Sequence, residues 1–310
     1  MDISKRSISD WFKSLQNDIC RGLEELDGKE KFSIDEWQRD EGGGGVSTII
    51  QNGSLFEKGG VNFSAVSGIL SAPALKSLKL DSLLDESSKS EFDFFATGIS
   101  IVIHPLSPMV PIIHMNLRYF ELEENIKWFG GGIDLTPIYI VERDAAFFHQ
   151  ELKHICDKHD PDYHKSFKNW ADDYFFIKHR NENRGIGGIF FDRLSQSDNK
   201  SLEDIFEFVK DVGNGFIPIY STIVINNKAT LFNEDHKNFQ ALRRSRYVEF
   251  NLMYDRGTKF GLETNGRVES ILMSMPPVAQ WEYNYQPIPN SAEAKTFELL
   301  KKGIDWHNIP

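Results

Sequence analysis

Two β-rich runs decide the fold of this 310-residue chain: FFATGISIVIHP, residues 94–105, and VPIIHMNLRYF, residues 110–120. A proline-bearing turn around residues 106–108 separates them, which is a signal of a β-hairpin. Successive residues of a strand point to opposite faces of a sheet. One face of this hairpin carries only apolar side chains, namely Ile99, Ile101, Ile103, Ile113, Met115 and Leu117. We therefore expect that face to pack against a hydrophobic core.

The opposite face of the predicted hairpin is mostly polar. It carries Ser100, Val102 and His104 on the first strand and His114, Asn116 and Arg118 on the second. If the turn is centred near Met109, His104 lies opposite His114, and Ser100 lies opposite Arg118. Side chains suited to ligand binding and proton transfer would then share one surface.

Helical patterns frame the predicted sheet. Apolar residues three or four apart predict an amphipathic helix between Trp11 and Leu26. The same signal predicts three further helices, over 144–158 with Asp144 as its cap, 162–179 and 234–246. Ser201 and Asp204 have the spacing of a capping box, which predicts that another helix begins there.

More strands are predicted outside the hairpin. IGGIFFD, residues 186–192, is one of them, and YVEFNLMY, KFGLET and VESILM, all between residues 247 and 273, are others. The glycine-rich stretch 40–68 predicts a long loop with short strands. Residues 71–91 have the composition of a linker, and we interpret them as a surface excursion rather than a domain boundary.

The order of these elements indicates the fold class. Strands meet through hairpins as well as helices, so we expect an α+β fold around one large antiparallel β-sheet. We expect a single domain over residues 1–310 that includes the N-terminal helical segment 1–39. The chain is 40% hydrophobic and 13% aromatic, which is ample for a sizeable core.

Composition excludes several classes of protein. The net charge of −11 argues against nucleic acid or an acidic membrane as a partner. Cys20 and Cys156 are the only cysteines, so the sequence has no disulfide framework and no cysteine-based zinc site. No apolar run is long enough for a membrane span, and the acidic residues of the first thirty positions do not fit a transit peptide. We expect a cytoplasmic protein with no membrane insertion.

Three glycines precede an acidic residue in WFGGGIDLTPIY, residues 128–139. The stretch lacks the lysine of a P-loop and the GxGxxG spacing of a dinucleotide fold. Glycine also allows a close approach between the backbone and a ligand. We interpret the stretch as a loop that presents Asp134 to a flat, bulky ligand. The alternative is a tight loop with Asp134 facing solvent.

The histidines give a weaker signal. His149, His154, His159 and His164 recur every five residues and so do not share a helix face, and this spacing argues against a helix-borne zinc pair. His104 and His114, in contrast, can meet across the predicted hairpin. The alternative is that both are bonded to backbone groups.

Two arginine-rich stretches, 178–193 and 243–267, reverse the sign of the local charge in an acidic chain. Arginine is suited to bidentate recognition of carboxylates, and several of these arginines stand beside glycines. We interpret them as ligand-facing, against the alternative of a solvated face of mixed charge. Together these features predict an α+β enzyme that acts on a flat anionic molecule with several carboxylates.

Five blocks of sequence resemble the oxygen-dependent coproporphyrinogen-III oxidases. They are GVNFSAVSG, the hairpin pair IVIHP and HMNLRYF, WFGGGIDLTPIY, YFFIKHRNENRGIGGIFFD, and RRSRYVEFNLMYDRGTKFGLETNGRVESILMSMPP, in order over roughly residues 40–285. The resemblance implies a large antiparallel sheet flanked by helices and a homodimer. It implies conversion of the propionates on rings A and B of coproporphyrinogen III to vinyl groups, giving protoporphyrinogen IX, with consumption of O₂ and release of CO₂ and hydrogen peroxide.

The resemblance also implies roles for individual residues. Asp134 would accept the pyrrole N–H groups of the macrocycle, and His114 would be the proton donor. Asp255 and Arg256, in a DRG motif, would give electrostatic support and bind a propionate, while Arg180 and Arg184 are weaker, structural candidates. The substrate-contacting positions would be Ser100, Asn116, Leu117, Arg118, Asn265, Gly266 and Arg267. The family usually has glycine where this chain has Asn265, a residue type that tolerates positive φ.

Two alternatives remain at this point. His104, His114, His149 and His179 match positions described as metal ligands in some bacterial members, so one alternative is an oxidase that uses a divalent metal ion. The other is a tetrapyrrole carrier without turnover. We expect O₂ to be a co-substrate and no metal or organic cofactor to be required.

Overall fold

The computed structural model describes residues 3–71, 75, 80, 91–123, 125–263 and 266–308. The strands in this part of the chain are β1 (Ser33–Gln38), β2 (Gly43–Gln51), β3 (Phe56–Ser71), β4 (Glu91–Pro105), β5 (Ile112–Leu122), β6 (Ile126–Thr136), β7 (Phe176–Ile177), β8 (Glu182–Asn183) and β9 (Gly187–Leu194). Seven of them form one antiparallel sheet in the order β1-β2-β3-β4-β5-β6-β9. β7 and β8 form a separate two-stranded sheet. The predicted α+β fold around a large antiparallel sheet is confirmed.

Helices cover both faces of this sheet. They are α1 (Lys5–Asp27), α2 (Glu142–Asp157), α3 (Tyr163–Tyr174), α4 (Leu202–Asn227), α5 (Glu234–Met253), α6 (Arg256–Glu263), α7 (Val268–Leu272) and α8 (Ala292–Leu299), followed by a 3₁₀ turn at Trp306–Asn308. In the described part of the chain, no helix combines the length and the apolar character that a membrane span needs.

The hydrophobic core lies on the predicted apolar face of the hairpin. Ile101 of β4 and Met115 of β5 are fully buried there, in one cluster with Phe12 of α1, Phe148 of α2 and Phe216 of α4. The six apolar side chains of the hairpin all belong to this cluster, as predicted. Burial of apolar area on this scale is the main favourable term in folding.

The opposite face of the sheet is only partly covered. At one end, Phe239 and Leu242 of α5 pack against Val102 and Ile112. Over β2 and β3, the α7 residue Ser270 is held by Ser47, whose hydroxyl lies 2.9 Å from its own, and by Asn62, whose side-chain amide donates to its carbonyl oxygen at 2.9 Å. Between α5 and α7, polar residues of β4 and β5 stay accessible.

The register of the central hairpin differs from the prediction by two residues. Ser100 pairs with Asn116, and His114 pairs with Val102 rather than with His104. The difference arises because the turn is centred near Pro108, as the pairing of Ile103 with Ile113 shows, and not near Met109. A slip of two residues leaves every side chain on its predicted face.

Three segments predicted as strands are helical. YVEFNLMY lies in α5, KFGLET overlaps α6 and VESILM overlaps α7. α5 begins at an Asn233 cap and does not end at residue 246, because the buried residues Phe239, Leu242 and Phe250 continue at helical spacing. Tertiary packing of that apolar stripe overrides the β propensity of the individual residues.

The glycine-rich stretches are strands rather than loops. Residues 40–68 form most of β2 and β3, and the three glycines before Asp134 lie inside β6. A Cβ at Gly131 would stand 2.5 Å from the carbonyl oxygen of Asn116, so the close pairing of β5 and β6 requires glycine there. Most of the predicted surface excursion at 71–91 lies outside the described residues.

The remaining helix predictions are confirmed with changed boundaries. The N-terminal helix and the capping box of Ser201 and Asp204 are present. The helix predicted over 144–158 begins at Glu142 after Val141, so Asp144 is not its cap but lies in its first turn. The helix predicted over 162–179 ends at Tyr174, because the chain turns there into β7.

Candidate active site

The accessible polar face of the sheet is built from rows of cross-strand neighbours. One row consists of Asn62, Ser100, Asn116 and Gly132, on β3, β4, β5 and β6. The rows on either side of it consist of Gly60, Val102, His114 and Asp134, and of Ser64, Gly98, Arg118 and Gly130. Small and polar residues therefore form a floor, called here the open face, on which a flat ligand can lie.

His114, Asp134 and Arg184 form a connected group at one end of the open face. His114 and Asp134 are cross-strand partners, and Nδ1 of the histidine lies 2.7 Å from Oδ1 of the aspartate. Nη2 of Arg184, in the connection between β8 and β9, donates to both carboxylate oxygens at 2.7 and 2.8 Å. Asp134 and Arg184 are buried, whereas His114 is 21% exposed and its Nε2 has no hydrogen-bond partner within the described residues.

The electrostatics of this group keep the carboxylate ionised. Burial alone would raise the pKa of Asp134, but the positive charge of Arg184 and the hydrogen bond from His114 outweigh burial and lower it. Burial likewise opposes the charge of Arg184, but Asp134 raises the pKa of the guanidinium. An ionised carboxylate only accepts hydrogen bonds, so Nδ1 of His114 carries a proton.

Aromatic rings enclose the guanidinium of Arg184. Its central carbon lies 4.5, 4.6 and 4.7 Å from the ring centroids of Phe175, Tyr247 and Phe250. Nη1 donates to the side-chain oxygen of Asn251 at 2.8 Å. Cation–π contacts are strongest where water is excluded, so the arginine is held in one orientation.

Asp255 and Arg256 lie where α6 begins. Asp255 accepts hydrogen bonds from the backbone N–H of Thr258 at 2.7 Å and from the hydroxyl of Tyr174 at 2.8 Å. Burial and the neighbouring Asp255 raise the pKa of Tyr174, so this hydroxyl remains a donor. The guanidinium of Arg256 is 5.7 Å from the Tyr174 ring and is exposed. Asp255 thus fixes the start of α6, and Arg256 is left accessible to an anion.

The predicted substrate contacts of the hairpin divide between two faces. Ser100, Asn116 and Arg118 lie on the open face, and Arg118 donates to Asp192 at 2.8 Å and to Asn116 at 3.0 Å. The side chain of Leu117 is fully buried in the core on the other side of the sheet. Only its backbone can therefore take part in binding.

The predicted contacts before α7 are seen in part. Arg267 donates to Ser270 at 3.0 Å and is paired with Asp35 of β1. Gly266 precedes it, and its N–H donates to the carbonyl oxygen of Gly261 at 2.7 Å. Asn265 lies outside the described residues.

Most other arginines of the two arginine-rich stretches form internal ion pairs. Arg243 and Arg244 are both buried, and they bond to Glu182 and Glu57 respectively, each at 2.7 Å. Arg180 donates to both oxygens of Glu249, and Arg246 bonds to the same carboxylate. The expectation that these stretches face a ligand is therefore wrong for the buried residues Arg243, Arg244 and Arg246, whereas Arg180 forms its ion pair at the surface.

The four histidines of the metal alternative have separate partners. Nε2 of His104 and Nε2 of His149 each lie 2.9 Å from a backbone carbonyl oxygen. His179 bonds to Glu249 and to the hydroxyl of Tyr254, both at 2.7 Å, while His114 bonds to Asp134. Across the described ranges, no three His, Cys, Asp or Glu side chains are arranged to hold a metal ion.

The contact between Arg184 and Asp134 was not predicted from the sequence, nor were the roles of the residues around it. Arg184 is 50 positions from Asp134, so no local spacing connects them. Tyr174, which anchors Asp255, and Asp192, which pairs with Arg118, were interpreted only as parts of a helix and a strand. Their hydroxyl and carboxylate groups give no signal until the fold brings them to the open face.

An antiparallel sheet whose open face carries a His–Asp–Arg group beside accessible arginines defines an α+β enzyme suited to proton transfer on an anionic ligand. The chain matches the family Coproporphyrinogen III oxidase over residues 7–306. This chain belongs to the oxygen-dependent coproporphyrinogen-III oxidase family.

The similarity to curated relatives is close and long. The chain is 49% identical over 296 residues to the mitochondrial oxygen-dependent coproporphyrinogen-III oxidase of Homo sapiens. This match covers 94% of the chain and 64% of the human protein. It is 50% identical over 298 residues to the oxygen-dependent coproporphyrinogen-III oxidase of Drosophila melanogaster, and this match covers 94% of the chain and 75% of the relative. It is 44% identical over 327 residues to the oxygen-dependent coproporphyrinogen-III oxidase of Prochlorococcus marinus, and this match covers 98% of the chain and 93% of the relative.

Proposed function

We propose that this chain catalyses the oxidative decarboxylation of the ring A and ring B propionates of coproporphyrinogen III, giving protoporphyrinogen IX. The observation that supports the proposal most strongly is the His114–Asp134–Arg184 group on the open face of a chain that belongs to this family. Each step converts one propionate, O₂ and one proton into a vinyl group, CO₂ and hydrogen peroxide. Two electrons pass to O₂ as one C–H bond and the bond to the carboxylate break.

We assign the proton transfer to His114. Its Nδ1–H is held by Asp134, so its Nε2 is the nitrogen that can exchange a proton with the substrate or the peroxide. The substrate is an electron-rich pyrrole that reacts with O₂ once a pyrrole proton is lost, and the peroxide then takes a proton from the propionate side chain as CO₂ leaves. The carboxylate of Asp134 already accepts bonds from Arg184 and His114, so we propose that it acts on the macrocycle chiefly through its negative charge and through His114.

We assign the binding of propionates to the accessible arginines and their polar neighbours. Arg256 and Arg118 offer guanidinium groups at the edge of the open face. Ser100 and Asn116 lie between them and the histidine. The loop of Asn265, Gly266 and Arg267 remains part of this proposal.

Turnover in air is the decisive measurement. Purified protein should convert coproporphyrinogen III to a vinyl product with release of CO₂ and hydrogen peroxide, and this turnover should stop under nitrogen. His114→Gln should abolish it, while His159→Gln should not, because His159 forms a similar pair with Asp211 away from the open face. Binding of the porphyrinogen without turnover in air would instead identify a carrier.

We further propose that O₂ is used without a metal or an organic cofactor. The electron-rich pyrrole can react with O₂ directly, so the reaction depends less on a cofactor than most oxidations do. In addition, the four candidate histidines each bond to a different group of the protein. Enzyme stripped with a strong chelator and checked by elemental analysis should retain full turnover. Loss of turnover that one divalent ion restores stoichiometrically would overturn this proposal.

Three broader expectations also remain proposals. We propose a homodimer, as the resemblance implies, which light scattering on the purified chain would test. We propose a single domain over 1–310, supported by the packing of α1 in the same cluster as the sheet. A cytoplasmic location also remains a proposal, and fractionation of source cells tests it, since relatives include mitochondrial forms.

A further inference from the structure

Arg184 is the most deeply placed member of the His114–Asp134–Arg184 group apart from Asp134 itself. It is 2% exposed, and its charge is neutralised by the carboxylate that also holds His114. Arg243 is equally buried and also has a carboxylate and an aromatic ring as neighbours, but among the described residues its partner Glu182 bonds to no candidate residue of the site. The two arginines therefore differ in what their partner carboxylates do.

The hydrogen bonds of Arg184 constrain Asp134 in rotation. A single nitrogen, Nη2, contacts both carboxylate oxygens, and the other arm of the guanidinium is tied to Asn251 of α5. The three rings around the guanidinium come from α5 and from the end of α3, so elements on two sides of the group set its position. If Arg184 moves, the plane of the carboxylate is free to turn, and the angle of the bond to Nδ1 of His114 changes with it.

We infer that Arg184 is the positioning residue for the proton transfer by His114: through Asp134 it keeps the imidazole proton on Nδ1 and fixes the orientation of the ring, so that Nε2 faces the open face and can exchange a proton there. This inference rests on the proposed function and deepens it. Histidine tautomers are set by the hydrogen bond that the second ring nitrogen makes. A small displacement of a group involved in chemistry costs up to about a hundredfold in rate.

The test compares Arg184→Lys with Arg243→Lys. Both substitutions keep the positive charge and remove a buried guanidinium, so both lower stability. A lysine is a point charge that cannot contact both Asp134 and Asn251 in the same way. We expect Arg184→Lys to lower kcat by about 10- to 100-fold with KM changed less than about threefold, and Arg243→Lys to keep kcat per folded molecule.

Nitrogen NMR of histidine-labelled protein gives a readout that does not need turnover. The signals of His114, assigned by their loss in His114→Gln, should show a proton on Nδ1 in the wild type. They should show a mixture of tautomers in Arg184→Lys and the wild-type pattern in Arg243→Lys. If Arg184→Lys does not fold, Asn251→Ala takes its place in the test. This variant keeps Arg184 but removes one of its hydrogen-bond partners, so it should shift the same His114 signals.

Guanidinium rescue separates positioning from a loss of folding. Arg184→Ala leaves space inside the ring of aromatic residues, and added guanidinium chloride at low concentration should restore part of kcat, whereas sodium chloride should not. Wild-type tautomers and wild-type kcat in Arg184→Lys would overturn the inference. If the wild type shows no turnover but the tautomers respond as expected, the proposed function fails while the positioning role stands.

Discussion

At the scale of single residues, Asp134 is the position where stability and chemistry are most closely linked. Asp134→Asn leaves the buried charge of Arg184 without its counter-ion, which typically costs about 3–5 kcal/mol. The substitution also places an amide beside Nδ1 of His114. Because an amide can donate or accept a hydrogen bond, it no longer fixes the tautomer of the histidine. We expect turnover to fall by at least about a hundredfold and the free energy of unfolding to fall by a few kcal/mol.

Asp144→Asn is the matched control for this prediction. Asp144 is also a buried carboxylate, but it bonds to Asn227 and Arg143 on the core side of the sheet. It should lose stability without losing kcat per folded molecule. Near-normal kcat in Asp134→Asn, measured on the purified and folded variant, would contradict the role given to Asp134.

Arg256 supports a second residue-level prediction. Its guanidinium is exposed and lies near the ring of Tyr174, so a propionate can form a bidentate pair with it. Arg256→Lys should lower kcat/KM at least about tenfold, chiefly through KM, because a point charge replaces the bidentate group. Arg21→Lys, an exposed substitution on α1, should behave as the wild type. Unchanged kcat and KM in Arg256→Lys would show that this arginine does not bind the substrate.

At the scale of elements, the glycines of β6 make a prediction about strand pairing. A Cβ at Gly131 meets a backbone carbonyl at 2.5 Å, whereas a Cβ at Gly130 meets the flexible ends of Asp192 and Arg118. Gly131→Ala should therefore destabilise the protein by about 1–3 kcal/mol, and Gly130→Ala should cost clearly less. Chemical denaturation of both variants checks the difference. Equal costs would mean that β5 and β6 can separate slightly without loss.

The elements show where sequence patterns suffice and where they fail. The alternation from Ile99 to Leu117 predicted both faces of the hairpin, because a two-residue period is set by backbone geometry. The same residues could not fix the turn, since a slip of two positions preserves every face. The helical course of α5 was missed after residue 246, because its second half is rich in residues that favour strands, and only its packing on the sheet decides between the two.

At the scale of the whole molecule, buried neutral histidines make stability depend on pH. Burial lowers the pKa of His104 and His149 to about 3 and that of His164 to about 4, far below the 6.5 of an unfolded histidine. The unfolded chain then binds more protons than the folded one below pH 6.5, so stability falls as the pH falls. Between pH 6.5 and about 4.5, each such histidine should cost about 1.4 kcal/mol per pH unit.

Equilibrium unfolding at several pH values checks this dependence. His104→Gln keeps an N–H donor for the carbonyl oxygen of Ser274 and removes one titrating group, so its stability should fall less steeply with acid. Parallel slopes for the wild type and His104→Gln would contradict the prediction.

The candidate site was predictable only where its residues share one strand or one motif. His114, Asn116 and Arg118 were placed on one face because they alternate on β5, whereas Asp255 and Arg256 were singled out only because their DRG motif resembles that of the family. The contact between Asp134 and Arg184 depends on how β9 docks on β6, which no local pattern reports. Long-range pairings of this kind decide which charged residues face a ligand and which neutralise each other.

The strand order has a consequence for how the protein folds. From β1 to β6 each strand pairs with its neighbour in sequence, whereas β9 joins β6 only after α2 and α3 have been passed. Contacts between distant parts of a chain close later and more slowly than local ones. We expect an early nucleus in the β1–β6 meander and a late step in which β9 docks and brings Arg184 to Asp134. Ile113→Val should then slow refolding, and Ile189→Val should mainly speed unfolding, so the chain completes its chemical machinery in the last step of its own assembly.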